Sequence, residues 1–206
     1  MGRQVRRAGA VSAVVFGAVS LLTAAPAMAD TSFATGTVTY MCSFPSIGQQ
    51  PLDVRMTFTG PASVPAGGAI TPGGIAGSLV FNATLNAVTF YASNRDGIRG
   101  TITTSLTGTN TTPASAEVTR LRIPEQIAPY VQGPRTVLFE QDTSTVVPTF
   151  GAGTPGQAAI GLGTTFRIDG ALRQKDGTWS PWIFNCTVKN TNPAQNRAFS
   201  PAIPIT

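Results

Sequence analysis

The sequence predicts an all-β fold, an immunoglobulin-like β-sandwich built as one domain. Three observations carry that expectation. Charged residues make up only 11% of the 206-residue chain, while glycine (22) and proline (16) are abundant. Apolar runs are short and separated by turn residues, and the clearest of them alternates with period two.

The chain opens with MGRQVRRAGAVSAVVFGAVSLLTAAPAMAD, where Arg3, Arg6 and Arg7 precede an apolar run that ends at Ala27-Met28-Ala29. Basic start, apolar middle and small-residue end are the pattern of a secretory signal peptide, so residues 1–29 are expected to be removed. The run is rich in Ala, Gly and Ser and has no stop-transfer flank, which argues against a membrane anchor. Small residues after Arg6-Arg7 favour general secretion over a twin-arginine route. The remaining stretch, 30–206, is long enough for a single β-sandwich domain that buries about 70% of its unfolded surface. No later segment is apolar enough to span a membrane after signal cleavage, and no cysteine follows the cleavage site to take a lipid. The C-terminal AFSPAIPIT is neither a hydrophobic tail nor a sorting signal. The expected location is extracellular, or loosely associated with the cell wall.

The first strand is TVTYMCSF (37–44), with Val38, Tyr40, Cys42 and Phe44 on one face. Pro45 and Gly48 mark a turn, and PLDVRMTF follows, with Leu52, Val54, Met56 and Phe58 alternating against Asp53, Arg55 and Thr57. Residues 60–75 and 148–157 are so rich in Pro and Gly that both read as loops. In LVFNATLNAVTFYA, Phe81, Leu85, Val88 and Ala92 recur at helical spacing, whereas AVTFYA alone has the composition of a strand; the pattern leaves both open. GTITTSLTG, AEVTRLRI, TTFRIDGALRQ and PWIFNCTVKN have strand length and content. IPEQIAPY reads as one helical turn begun by Pro124 and stopped by Pro129. Asp176-Gly177 forms a hairpin turn between GALRQ and WIFNCTV. Strand order across residues 82–160 does not follow from these patterns.

An even pair of cysteines in an exported chain points to a disulfide. Cys42 shares a face with Tyr40 and Phe44, and Cys186 with Trp182, Phe184 and Val188, so both thiols are expected to point inward and to meet, across neighbouring strands or between facing sheets. The bond would join the first and last core strands and stabilise by up to about 5 kcal/mol. A reactive cysteine would need a base or a positive neighbour; the chain has no histidine, and no basic residue lies within five positions of Cys42.

The missing histidine also removes Ser-His-Asp and Cys-His chemistry and the usual zinc sets. GAGTPGQ and GIAG lack the Lys-Ser/Thr ending of a phosphate loop. With the three leader arginines gone, eleven basic residues stand against nine acidic ones, a net charge of +2. Those basic residues are scattered, which disfavours nucleic acid as a partner. Carboxylates remain, as a glycosidase needs only two; the candidates are Asp96, Glu117, Glu125, Glu140, Asp142 and Asp169. Asp169 alternates with Arg167 and Arg173, as solvated surface does. Glu140 and Asp142 are a thin ligand set for calcium. No catalytic residue, cofactor or metal is therefore assigned. Trp182 shares the parity of Cys186 and belongs to the core, while Trp179 is freer, either to stack on a sugar ring or to pack on the hairpin.

The chain resembles a domain-of-unknown-function family of secreted actinobacterial proteins. The resemblance rests on VTYMCSFPSIGQQPLDVRM, on GPASVPAGGAI and on FNCTVKNTNPAQNRAF. It implies an exported β-sandwich with its cysteines at these places and no established enzymatic activity. The expected role is a secreted, non-catalytic binding or structural protein whose partner is cell-envelope glycan or another secreted protein, docked on a Thr-rich face or by strand addition. The alternative is a histidine-free, carboxylate-dependent glycan hydrolase.

Overall fold

A computed structural model describes residues 30–206; the expected signal peptide, 1–29, lies outside them. Alternation along the chain becomes antiparallel β-structure almost throughout. The strands are β1 (Asp30–Ala34), β2 (Val38–Phe44), β3 (Gly48–Pro61), β4 (Ala69–Ile70), β5 (Gly73–Phe81), β6 (Arg95–Thr109), β7 (Thr111–Thr112), β8 (Ser115–Ile127), β9 (Arg135–Glu140), β10 (Phe150–Ala152), β11 (Gly156–Gln174), β12 (Trp179–Val188) and β13 (Ile203–Ile205). One helical segment separates β5 from β6: α1 (Ala83–Asn86) and a wider turn over Ala87–Ala92.

The main sheet runs β1-β3-β2-β12-β11-β6-β8-β9-β5, and β5 also pairs with β3. The expected antiparallel sandwich therefore closes on itself, its two halves joined at both edges around one core. One seam is thin. Strands β8 and β9 share only the pair Arg122↔Glu140. Two devices reinforce it: Thr119 and Val146 exchange backbone hydrogen bonds at 3.1 and 3.0 Å, and the Gln126 amide pairs with both backbone groups of Leu138 at 2.8 and 2.9 Å, in place of a missing strand. Closure matters because unpaired N–H and C=O rows invite other chains.

The interior follows the period-two reading. Val38, Tyr40, Cys42 and Phe44 of β2 and Leu52, Val54, Met56 and Phe58 of β3 are all buried. Phe44 packs on Trp182 and Phe184, with ring centroids 5.3 and 4.3 Å apart, and Phe81 reaches the same Trp182 at 5.9 Å. Burying such aromatic side chains contributes about 1.5–3 kcal/mol each. Tyr40 Oη donates to the Gly163 carbonyl at 2.7 Å, which satisfies the phenol inside the core. Burial pushes its pKa up to about 12, with the positive charge of Arg197 opposing the rise.

Between β11 and β12 the expected turn is present: Gly177 donates to the Gln174 carbonyl at 2.9 Å and adopts φ 93°, a value glycine reaches without a Cβ clash. The ambiguous segment is helical. Asn82 caps it, its Oδ1 accepting from Leu85 N at 2.8 Å. The wider turn rotates the buried face, so Leu85, Thr89 and Phe90 are covered while Val88 is half-buried and Ala92 is exposed.

Three expectations are corrected. IPEQIAPY makes no helical turn; β8 runs on through it to Ile127. Pro124 is tolerated because the β6–β8 register shifts there, Ile123 facing Gly100 and Gln126 facing Ile98, so that a bulge absorbs the residue without an N–H. Residues 60–75 and 148–157 are not only loops, since β4 and β10 pair through Ile70↔Phe150 and bury both side chains in a small sheet with β7. Burying a Phe and an Ile supplies what their Gly-rich neighbours lack in propensity. An additional strand precedes the first one expected: β1 pairs with β3 and buries Phe33 against Phe58, centroids 4.8 Å apart.

Candidate functional site

Strands β8, β6, β11 and β12 lie side by side, and their outward residues form rows that the register fixes. One row runs Arg122, Thr101, Asp169, Ile183; the next on β6, β11 and β12 runs Thr103, Arg167, Asn185. Beyond it the ladder breaks. The β6–β11 register jumps between Leu162 and Phe166, and the β6–β8 register between Ile102 and Thr104. Arg120, in the second break, takes φ 61°, which few non-glycine residues adopt outside bulges. Gly163 occupies the first, where a Cβ would collide with Ser105.

These paired bulges open a groove of about 400 Å³ on the outer face. Thr103, Ser105, Thr165 and Thr187 supply hydroxyls, Asn185 an amide, and Glu117 and Arg167 stand among them; the buried Phe166 and Cys186 lie at its base. Hydroxyls donate and accept, an amide does both from separate atoms, and Arg only donates. Such a set can hold a polyhydroxylated chain through many moderate hydrogen bonds.

The disulfide lies beneath this groove. Cys42 and Cys186 are bonded and stand directly opposite each other on the adjacent strands β2 and β12, where the pairing is three residues long. Of the two geometries the sequence allowed, the bond takes the cross-strand one, in contrast to the inter-sheet bridge of antibody domains.

The acidic candidates are distributed over the surface. Asp96 pairs with Arg173 at 2.7 Å, Glu125 with Arg99 at 3.3 Å, Glu140 with Arg122 at 3.8 Å and Asp169 with Arg167 at 2.6 Å. Asp142 accepts from the backbone and hydroxyl of Ser144, and these bonds hold its carboxyl below the usual range. Glu117 makes no ion pair among the described residues and is the one carboxylate lining the groove. Glu140 and Asp142 are not joined by a third ligand, and among the described residues no group of three His, Cys, Asp or Glu side chains converges.

Trp179 stands on the same outer face, six residues along β12 from Asn185 and so about 20 Å away. It is half-buried, and the Arg99 guanidinium covers its ring at 4.1 Å from the centroid. That cation–π contact engages one face of the indole. Among the described residues no helix is long and apolar enough to cross a membrane.

Of the groove residues, the sequence reading singled out Glu117, among the candidate carboxylates, and Cys186, as half of the disulfide, but not the hydroxyls or Asn185. One signal was present: Gly163 inside an otherwise β-branched and aromatic run marks a bulge or a close approach. The others become a set only through register.

Comparison with curated proteins and with solved structures gives no match. A family model does match, over residues 39–200, and it describes a family of unknown function. The matched span takes in both cysteines, the bulges and every strand that lines the groove, so the chain belongs to that family, DUF6801.

Proposed function

We propose that the protein is exported and acts as a non-catalytic binding protein of the cell envelope or extracellular space, holding cell-envelope glycan in the groove above Cys186. The observation that carries this reading is the groove's lining of hydroxyl, amide and unmatched carboxylate groups on an open β-face. Export is supported by the signal-like leader and by a disulfide that an oxidising compartment preserves. A secreted protein as partner is the second reading, favoured by Ile183 and Ile127, which stand 44% and 49% exposed on the same face. Strand addition gains little support from a circuit closed at both edges.

The hydrolase alternative requires a second carboxylate about 5–9 Å from Glu117. The four arginine-paired acids, Asp96, Glu125, Glu140 and Asp169, lie outside the groove's lining. Co-sedimentation with purified peptidoglycan, combined with an assay for released reducing ends, tests the reading. The expected result is that the protein pellets, that Asn185→Ala with Arg167→Ala weakens pelleting about tenfold, and that no sugar ends are released. Protein left in the supernatant would defeat glycan binding, and Glu117-dependent release would establish the hydrolase instead.

A further inference from the structure

We infer a second binding site, independent of the groove, in the cavity of about 300 Å³ beside the β2–β3 turn, and assign it a small organic carboxylate as ligand. The cavity lies between that turn, the helical segment, the start of β6 and the β11–β12 hairpin, with Ser46, Ile47, Thr89, Arg95, Leu172 and Trp182 in its wall. Its volume is at the lower end for small-molecule pockets.

Two polar groups in that wall have nothing to bond. Thr89 is only 2% exposed, and its hydroxyl has no hydrogen-bond partner. A terminal nitrogen of Arg95 is also buried and unpartnered, and among the described residues the guanidinium enters no ion pair. Leaving a buried donor unpaired is costly, and more so when it is charged. Native folds therefore pair such groups, with protein, water or ligand. No carboxylate lines the cavity to do so.

The two groups define one complement. A guanidinium presents parallel N–H donors that match the two oxygens of a carboxylate, and a threonine hydroxyl adds a third donor. The rest of the wall has an apolar part, with Leu172 and Trp182 buried and Ile47 packed against the core, beside the hydroxyl-bearing Ser46 and Ser93. An acid with a short hydrocarbon or aromatic body satisfies both halves. A bare inorganic anion satisfies only one.

The test is titration of the purified protein with benzoate and hexanoate, alongside benzamide and inorganic phosphate at constant ionic strength, followed by NMR of the Thr89 amide and the Arg95 side chain. Saturable shifts with a carboxylate are expected, with benzamide and phosphate each at least tenfold weaker. Arg95→Gln should weaken carboxylate binding at least tenfold and Thr89→Val about threefold, with unchanged circular dichroism. Should Arg95→Gln fail to fold, Arg95→Lys, which keeps the charge but not the fork, should still lose about tenfold. The inference is overturned if neither acid binds, if benzamide or phosphate binds equally well, or if the Arg95 variants bind as the parent does.

Discussion

The groove over Cys186 and the cavity beside Trp182 share strand β12, yet they treat polar groups in opposite ways. On the outer face most charges have partners, Glu117 excepted: Arg167 with Asp169, Arg99 with Glu125, Arg122 with Glu140, each pair about half exposed. In the cavity Arg95 and Thr89 keep buried atoms without any. Pairing in water contributes little, since solvent serves either charge nearly as well, whereas a buried donor without a partner is costly. The difference separates a surface that selects by many weak contacts from a pocket that selects by a few strong ones.

Removing the staple under the groove should have the largest effect. Cys42→Ala with Cys186→Ala deletes a bond spanning 144 residues, between strands that otherwise share three residue pairs. A loss of up to about 5 kcal/mol is expected in urea unfolding. Hydrogen exchange should rise first in residues 40–42 and 186–188, at the groove's base rather than at the cavity.

Tyr40 supports the groove from inside, through its hydrogen bond to the Gly163 bulge. Its pKa of about 12 in the fold lies above the ordinary value of 10, so between these pH values the unfolded chain releases a proton that the folded one keeps. Stability from this group is complete below pH 10 and falls as pH rises, by roughly 2 kcal/mol at pH 12. Unfolding followed against pH should show that slope, and Tyr40→Phe should abolish it.

On the cavity side, Asn82→Ala removes the cap of the helical segment that carries Thr89. About 1 kcal/mol of stability should be lost in thermal unfolding. Smallest of all, Asp169→Asn breaks a pair exposed to water; the unfolding free energy should change by less than about 1 kcal/mol, and less still at high salt.

Much of the fold was legible because it rests on local alternation. Leu52, Val54, Met56 and Phe58 announced a strand with one buried face, and the parity of Cys42 and Cys186 announced an interior bond. What stayed hidden depends on partners distant in sequence. Pro124 looked like a helix start because nothing local reveals that a bulge opposite Arg99 will absorb it. Ile70 and Phe150 looked like loop residues because their burial requires each other, 80 residues apart. The site was less legible still. Thr103, Glu117, Thr165 and Asn185 are unremarkable on their own strands, and closure of the sheet at β3–β5 brings no motif with it. Arg95 read as one of several scattered basic residues, since whether an arginine has a partner is a property of the folded surroundings.

The most direct measurement is an amide NMR titration of the protein with soluble peptidoglycan fragments. The account predicts shifts at Thr103, Ser105, Thr165, Asn185 and Thr187, with Thr89 and Arg95 unmoved. Shifts confined to the cavity, or none on the β8-β6-β11-β12 face, would contradict it.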